Sequence, residues 1–527
     1  MAEPTTLRAH HVVVVGAGVG GLVCALLLSH RGVRVTLVET SDAPGGKMRQ
    51  VVVGGSPIDS GPTVFTMRWV FEQILHSVGQ SLDAVLQLQP LSVLARHAWR
   101  DQDQRLDLHA DIHRSADAIA AFSSPSEGRR FLEFCQQARA VYQCLEGPYI
   151  RSSRPSLMGM GVDLGLGGLR TLAGLGPWAS LWDALGKHFH DPRLRQLFGR
   201  YATYCGASPW LAPATLMLVA HVELDGVWSV QGGMHQLARV LADLAQQQGA
   251  VLRMRTHCKR IRVRDGRACG IELGDGERID ADAVVFNGDA SALGQGLLGE
   301  AARAAGPVTR RDARSLSAVT WSVKARTAGF PLVRHNVFFD ADYRSEFTDI
   351  FSRRRLPERG TVYVCAQDRQ DDAQDPGQAE RLLCLVNAPP DGDLRPCNAT
   401  EIETCQQRSL ELMRDCGLEI DPSSAQWVTT TPNDFNRLFP GTGGALYGRA
   451  SHGWMTPFQR QDSSSKLAGL YLAGGSVHPG PGVPMAALSG QLVAETVMAH
   501  LVSTKKLGRV RISGGMSTPS AMTADTP

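Results

Sequence analysis

The stretch His11 to Glu39 constrains the fold more than any other part of this 527-residue chain. A β-branched run, Val12 to Val15, leads into Gly16, Gly18 and Gly21, spaced G-x-G-x-x-G. An apolar helical run follows to Ser29, Arg31-Gly32 breaks it, and a second β-type run ends at Glu39. The order predicts strand, turn, helix, strand and acid. Each residue type has a physical role in gripping a dinucleotide. Gly16 permits the tight turn, Gly18 lets the backbone approach a pyrophosphate, and Gly21 brings the helix close to the strand. The helix N-terminus offers free N–H groups to the phosphates. Glu39 is placed to accept hydrogen bonds from ribose hydroxyls. The uncharged run Val12 to Leu28 could also be read as a signal peptide or membrane anchor. Its central glycines, the lack of a small-x-small cleavage site and its continuation into an acid-ended strand argue against both.

The rest of the chain permits a large globular enzyme of two or three domains. It is 43% hydrophobic and 20% charged, with a net charge of +3. No concentrated basic face points to nucleic acid. The clusters Arg310-Arg311 and Arg353-Arg354-Arg355 read as solvated loop ends. Eleven cysteines, with no C-x-x-C, disfavour a disulfide framework or zinc ribbon and fit a reducing compartment. His188 and His190 fall on different faces of an expected helix, and no metal-ligand spacing is found.

After Glu39, Gly45-Gly46-Lys47 forms a loop whose amides and cation can reach the same pyrophosphate. Val251 to Arg264, Cys269 to Leu273 and Ala283 to Asn287 read as strands, the first two joined by a turn at Asp265-Gly266. Strands are expected at Leu316 to Lys324, Asn336 to Phe339, Val362 to Cys365 and Leu382 to Asn387, and helices at Pro192 to Tyr204 and Thr400 to Cys416. Arg130 is expected to open a helical stretch. Ser156 to Leu181 is dense in Gly, Leu, Met and Trp and reads as either an interfacial patch on a bilayer or a flexible buried loop. Near the end, Gly469 to Gly475 is a buried strand, Ser476 to Met485 a loop, and Ala486 to Leu501 a helix with Pro484 in its first turn. The tail from Ser513 is expected to be disordered.

Together these pieces resemble the FAD-dependent flavoproteins of the carotenoid desaturase and amine oxidase group. The match to carotenoid desaturases runs from Val12 to about Leu501. Its motifs are Gly45-Gly46-Lys47-Met48, Asp59-Ser-Gly-Pro-Thr-Val64, Gly232-Gly233-Met234, Asn287-Gly-Asp289 and His478-Pro479-Gly480. Within the family the chain looks most like the 1-hydroxycarotenoid 3,4-desaturase branch, through Asp191 to Tyr204, Gly226 to Val230, Gly443 to Gly448 and Ala473 to Met485. Phytoene desaturases usually begin that last stretch Gly-Ala-Gly-Thr, where this chain has Ala473-Gly-Gly-Ser476.

The resemblance implies an α/β fold with a Rossmann-type FAD-binding domain, discontinuous in sequence, a mixed-sheet α+β substrate domain and a helical membrane-facing region. The expected segments are 1–80 (FAD-binding), 81–225 (substrate and helical membrane-facing), 226–300 (FAD-binding), 301–440 (substrate), 441–505 (FAD-binding) and 506–527 (disordered tail). It implies FAD as cofactor, held through Gly16, Gly18, Gly21, Glu39, Gly46 and Lys47. The strand around Cys258 would pass the adenine, and Thr63 would lie near the flavin. Gly475, Pro484 and Met485 would stand at the flavin end. There, free amides near Met485 and Ala486 at a helix N-terminus would stabilise charge at N1 and the C2 oxygen. The implied reaction is C3–C4 desaturation of a 1-hydroxy acyclic carotenoid, with electrons passed to quinone or oxygen. Phytoene desaturase, carotenoid cis–trans isomerase and a non-catalytic prenyl-binding protein of related fold remain open at this point. The expected location is cytoplasmic, without a signal peptide and peripherally attached to the inner or photosynthetic membrane. His478 is the candidate catalytic residue. His235 is expected to be a surface or cap residue, and Trp228 and Tyr204 to line a tunnel or core.

Overall fold

The computed structural model describes residues 10–153, 157–176, 178–370 and 377–508. Strand β1 (His11–Val15) lies at the centre of a five-stranded parallel sheet. The order is Leu470–Leu472, Ala283–Phe286, β1, β2 (Arg34–Val38), Val251–Arg253. Val13 pairs with Val284 on one side and Thr36 on the other. Every residue of β1 is buried, which explains an unbroken valine run in place of an alternating one. Helix α1 (Val19–His30) is buried from Val19 through Ser29. It packs against the sheet, the helix His235–Gln247 and the C-terminal helix Val483–Gly508. The run Val12 to Leu28 is thus the core of the first domain.

The expected long strand Val251 to Arg264 is broken in two. Val251–Arg253 joins the parallel sheet, whereas Cys258–Arg264 joins a three-stranded antiparallel sheet with Arg267–Leu273 and Arg278–Asp280. Arg255, at φ 52°, turns the chain between them. Asp265 and Gly266, at φ 50° and 70°, make the tight turn expected there.

A seven-stranded mixed sheet forms the second half. Its order is Gln426–Thr430, Ser317–Ala325, Glu380–Ala388, Val362–Ala366, His335–Phe339, Val93–Trp99, Arg105–His109. Only the pair His335–Phe339 and Val93–Trp99 is parallel. Segments 81–225 and 301–440 therefore share one sheet. This pairing joins residues more than 200 apart, with no local signal in the sequence.

Helices Ile112–Phe122, Pro125–Leu145 and Leu157–Leu175 cover this half. The second opens at Pro125, ahead of Arg130, with Ser124 as its cap. Leu157–Leu175 is helical, not a loop, and is kinked at Gly165, whose φ is 58°. The kink falls at a glycine, which adopts this backbone conformation without strain. His188 ends the helix Leu181–His188, and His190 lies beyond it, so the two do not share a helix. Pro192–Gly199 is α-helical and Arg200–Cys205 continues as a 3₁₀ turn.

The arginine clusters are not merely solvated. Arg311 and Arg354 both pair with buried Asp391, at 2.8 and 2.9 Å. Arg353 and Arg355 both reach buried Asp349. All eleven cysteines are free. Among the described residues one helix segment, Val483–Ser503, is long and apolar enough to cross a membrane, and half of its apolar window is buried within the protein. The tail from Ser513 lies outside the described residues.

Candidate functional site

The glycine turn is closed from behind by Asn287, which follows the strand Ala283–Phe286. Its Nδ2 donates to the carbonyl of Gly16 at 3.2 Å. A Cβ on Gly18 would lie 2.7 Å from this Nδ2, and one on Gly21 would lie 2.2 Å from the Gly16 oxygen. Gly16 itself sits at φ 101°, which only glycine adopts without strain. Asn287 thus fills the space that side chains at Gly18 and Gly21 would need.

Gly45 donates to the carbonyl of Ala17 at 2.8 Å and forms a bridge with Gly18. A Cβ on Gly46 would come within 3.2 Å of Gly18 Cα. The two glycine loops therefore lie against each other. His235 fixes the second one: buried, its Nε2 donates to the carbonyl of Pro44 at 2.8 Å. It is neither a surface residue nor a helix cap. The expectation failed because its partner lies 191 residues away.

Glu39 directly follows β2 and accepts from the Ala17 N–H at 2.7 Å and the Ser41 N–H at 2.8 Å. A carboxylate with two oxygens has acceptor capacity beyond these two bonds. The segment leading to Cys258 runs beside it: Thr256 donates to the Glu39 carbonyl at 2.7 Å, and Arg255 to that of Ser41 at 2.8 Å. The Cys258 side chain itself is buried in the antiparallel sheet.

Lys47 has gone the other way from the glycine turn. Its Nζ donates to the carbonyl of Leu446 at 2.5 Å and lies 5.5 Å from the Phe439 ring centre. Burial pushes this ammonium below the ordinary lysine range, against the pull of Asp289. Asp289 Oδ2 is buried and has no hydrogen-bond partner among the described residues. Gly448 packs on Ser476, whose Oγ accepts from the Ala290 N–H at 3.2 Å. The stretches Asn287–Asp289, Gly443–Gly448 and Ala473–Met485 thereby meet at one place. Gly475 lies there too, its carbonyl accepting from Arg460 at 3.5 Å.

The Asp59 motif serves the same junction. Its carboxylate accepts from the Met234 N–H at 2.5 Å and leaves no room for a side chain at Gly233. Thr63 Oγ1 shares a 2.7 Å hydrogen bond with Tyr363 Oη, which joins the two halves of the molecule.

The C-terminal helix starts at Val483 with Pro484 in its first turn. One expectation needs correction here. Ala486 donates its N–H to the Gly482 carbonyl at 2.9 Å, the first bond of the helix, so it is not free. Pro484 has no N–H, which leaves Met485 and Val483 to present amides at this terminus. His478 is 3% exposed; its Nε2 donates to the carbonyl of Ser152 at 2.8 Å and its ring meets Tyr149 edge-on at 5.0 Å. Burial pushes its pKa down.

Lys47, Tyr149, Arg200, Tyr204, Tyr363 and Tyr447 are each partly buried. Tyr204 and Tyr363 both stack on Arg200, where Thr63 of the first half meets the seven-stranded sheet. Tyr204 was singled out in the sequence for this setting. Arg200, Glu223 and Tyr363 were not, because nothing local marks them. Trp228 is half-buried and packs T-shaped on Phe65 at 6.4 Å, on the first domain's core.

Residues 171–498 match the family described as flavin containing amine oxidoreductase, and residues 14–76 the NAD(P)-binding Rossmann-like domain. The chain is 63% identical to hydroxyneurosporene desaturase of Rubrivivax gelatinosus, over 99% of both chains. It is 44% identical to the protein of that name from Cereibacter sphaeroides, over 94% of this chain and 99% of that one. The chain belongs to the carotenoid desaturase family of flavin-containing oxidoreductases. Similarity extends to the 1-hydroxycarotenoid 3,4-desaturase of a Flavobacterium species, at 29% identity over 92% of this chain and 98% of that one. Among solved structures, a putrescine oxidase variant has the same fold at TM-score 0.60 and 14% identity, over 93% of this chain and 99% of that one. The cofactor of this family member is FAD. The residues present fit it: two glycine loops in contact, an acid at the end of β2, and a helix N-terminus beyond.

Proposed function

We propose that this enzyme desaturates a 1-hydroxy acyclic carotenoid of the hydroxyneurosporene type at C3–C4. The observation that carries this reading is the 63% identity, over the full chain, to a hydroxyneurosporene desaturase. The C3–C4 position is the one named for the Flavobacterium relative. FAD, when bound, supplies a hydride acceptor for the substrate C–H bond. Gly16, Gly18, Gly21 and Gly46 would let the backbone approach the pyrophosphate, and Glu39 would take the ribose hydroxyls. The Met485 N–H at the helix start would face the ring edge where negative charge collects. Thr63 and Tyr363 would order the wall beside it. The buried histidine His478 positions the loop by its bond to the Ser152 carbonyl; a proton acceptor is not required of it, because hydride loss leaves an adjacent C–H acidic.

The substrate is long and apolar, so it is taken from a bilayer. Trp178 and Trp454, 77% and 40% exposed, pack edge-on at 5.3 Å beside Leu211, which is 51% exposed. The kinked helix Leu157–Leu175 leads directly into this patch. Exposed tryptophans beside apolar residues suit the membrane interface. This is the proposed contact face.

Incubation of the flavin-loaded protein with 1-hydroxyneurosporene, and separately with phytoene, tests the reaction. The expected result is a red shift of polyene absorption with the hydroxylated substrate. A shift with phytoene alone, or isomerisation without oxidation, refutes it.

A further inference from the structure

Around Arg200 lies a group of polar side chains that an apolar polyene has no use for. Arg200 Nη1 donates to Tyr204 Oη at 3.1 Å. Its guanidinium carbon lies 5.2 Å from the ring centres of both Tyr204 and Tyr363, so the cation sits between two aromatic faces. Glu223, on the helix Leu218–Leu224, completes the group beside Arg200 and Tyr201. Glu223 is 5% exposed, and its Oε2 has no hydrogen-bond partner among the described residues. Tyr363 Oη is held by Thr63 Oγ1 and His335 Nδ1, each at 2.7 Å.

An arginine and a carboxylate buried together are costly unless every donor and acceptor is matched. Here a carboxylate oxygen is left over. In a lining meant only for hydrocarbon, such a group would be replaced without loss by an apolar one. A hydroxyl supplies what is missing, since it donates one hydrogen bond and accepts others.

We propose that Arg200, Tyr204 and Glu223 bind the hydroxyl of the substrate and select hydroxylated over plain carotenoid ends. This rests on the substrate reading given above. The hydroxyl donates to Glu223 and accepts from the Arg200–Tyr204 pair. The position is chemically required: with oxygen on C1 and reaction at C3–C4, the oxygen lies within about 4 Å of C3, given bonds of about 1.5 Å. The hydroxyl anchor must therefore adjoin the reacting carbons. The Tyr363–Thr63 hydrogen bond makes the cluster contiguous with the loop assigned to the flavin side. Arg200, Tyr204 and Glu223 are positioning residues: they hold the chain end in register so that C3–C4 faces the hydride acceptor.

The test uses flavin-loaded wild type, Tyr204→Phe and Glu223→Gln, with 1-hydroxyneurosporene and neurosporene in the same micelles. Two quantities are read. One is the ratio of kcat/KM for the two substrates, with kcat and KM separated. The other is the ratio of their Kd values on anaerobically reduced enzyme, which cannot oxidise either. The wild type is expected to prefer the hydroxylated substrate by about 100-fold or more, because a site built for a hydroxyl is left unpaired by the analogue lacking it. Each variant is expected to lower that preference at least about tenfold. The loss should fall on the hydroxylated substrate and appear in Kd as well as in turnover, with FAD content unchanged. Tyr204→Phe keeps the ring between Arg200 and its neighbours, so it decides the matter if Glu223→Gln does not fold. A wild type without preference, or a loaded Tyr204→Phe that keeps it in both ratios, overturns the proposal. If the wild type turns over neither substrate, the reaction assigned above fails, and the Kd ratio on reduced enzyme still decides the cluster.

Discussion

Removing the Glu39 carboxylate separates two contributions that coincide at one residue. In Glu39→Ala, the Ala17 N–H loses its partner at 2.7 Å, and Ala17 is fully buried. An orphaned buried donor costs about 1–3 kcal/mol. The second bond, to the Ser41 N–H, is exposed, so water replaces it at little cost. Glu39 is itself half-buried, and partial entry of water places the structural loss near the lower end, about 1–2 kcal/mol. If the same carboxylate takes ribose hydroxyls, the FAD complex loses a further 1.5–3 kcal/mol or so, as is typical for hydrogen bonds to a charged group. FAD affinity should then fall about 10- to 150-fold, at 1.4 kcal/mol per factor of ten. Urea unfolding of the deflavinated protein reads the first quantity, and titration of that protein with FAD reads the second. A variant that loses stability but keeps the wild-type Kd for FAD would show that Glu39 only braces the glycine turn.

Gly21→Ala should abolish stable flavin retention, because its Cβ would meet the Gly16 carbonyl at 2.2 Å; gel filtration with absorbance at the flavin band reads this, and a normally yellow variant refutes the cradle. His97 and His335 are buried and neutral, with pKa values pushed down to about 3 by burial. The unfolded chain takes up their protons near pH 6.5 while the folded one does not, so stability is full above that value and falls as pH drops towards about 3. At pH 5 the loss is about 2 kcal/mol per histidine, and a denaturation midpoint flat from pH 7 to 5 contradicts it. His478→Ala should leave single-turnover flavin reduction within about tenfold of wild type, since loss of a true acid or base costs about 10²–10⁴-fold. Trp178→Ser combined with Trp454→Ser should release the protein from liposomes in a flotation assay without lowering its FAD content; continued flotation with the lipid rules out the tryptophan face.

The first domain was legible because its rules are local. Val12–Val15, the three glycines and Glu39 lie within thirty residues, and strand burial and turn geometry follow from residue type. The C-terminal strand, loop and helix were readable for the same reason. What escaped is what long-range pairing decides. Asn287 was visible as part of a motif, but its place behind Gly16 and Gly18 depends on a strand that joins 270 residues later. His235 reads as a helix-start residue until Pro44 meets it. The free amide expected at Ala486 fails by one residue, because the first intrahelical bond lands there. Lys47 stands next to the glycine loop in sequence, yet its four-carbon stem carries the charge to Leu446. Arg200, Glu223 and Tyr363 come from three separate elements, and no periodicity announces them.

The order of the parallel sheet also has a consequence for how the protein is made. β1 leaves the ribosome well ahead of its neighbour Ala283–Phe286 and the flanking strand Leu470–Leu472, which follow some 270 and 460 residues later. At about 5–20 residues per second, the sheet waits roughly 20 to 90 s for its last strand. Helix α1, apolar on every side, has no cover from Val483–Gly508 until some 450 more residues have been made. During that interval the nascent chain exposes its most hydrophobic surface and holds only part of the nucleotide cradle. A truncation before Leu470 leaves the fully buried strand Ala283–Phe286 at the edge of the sheet.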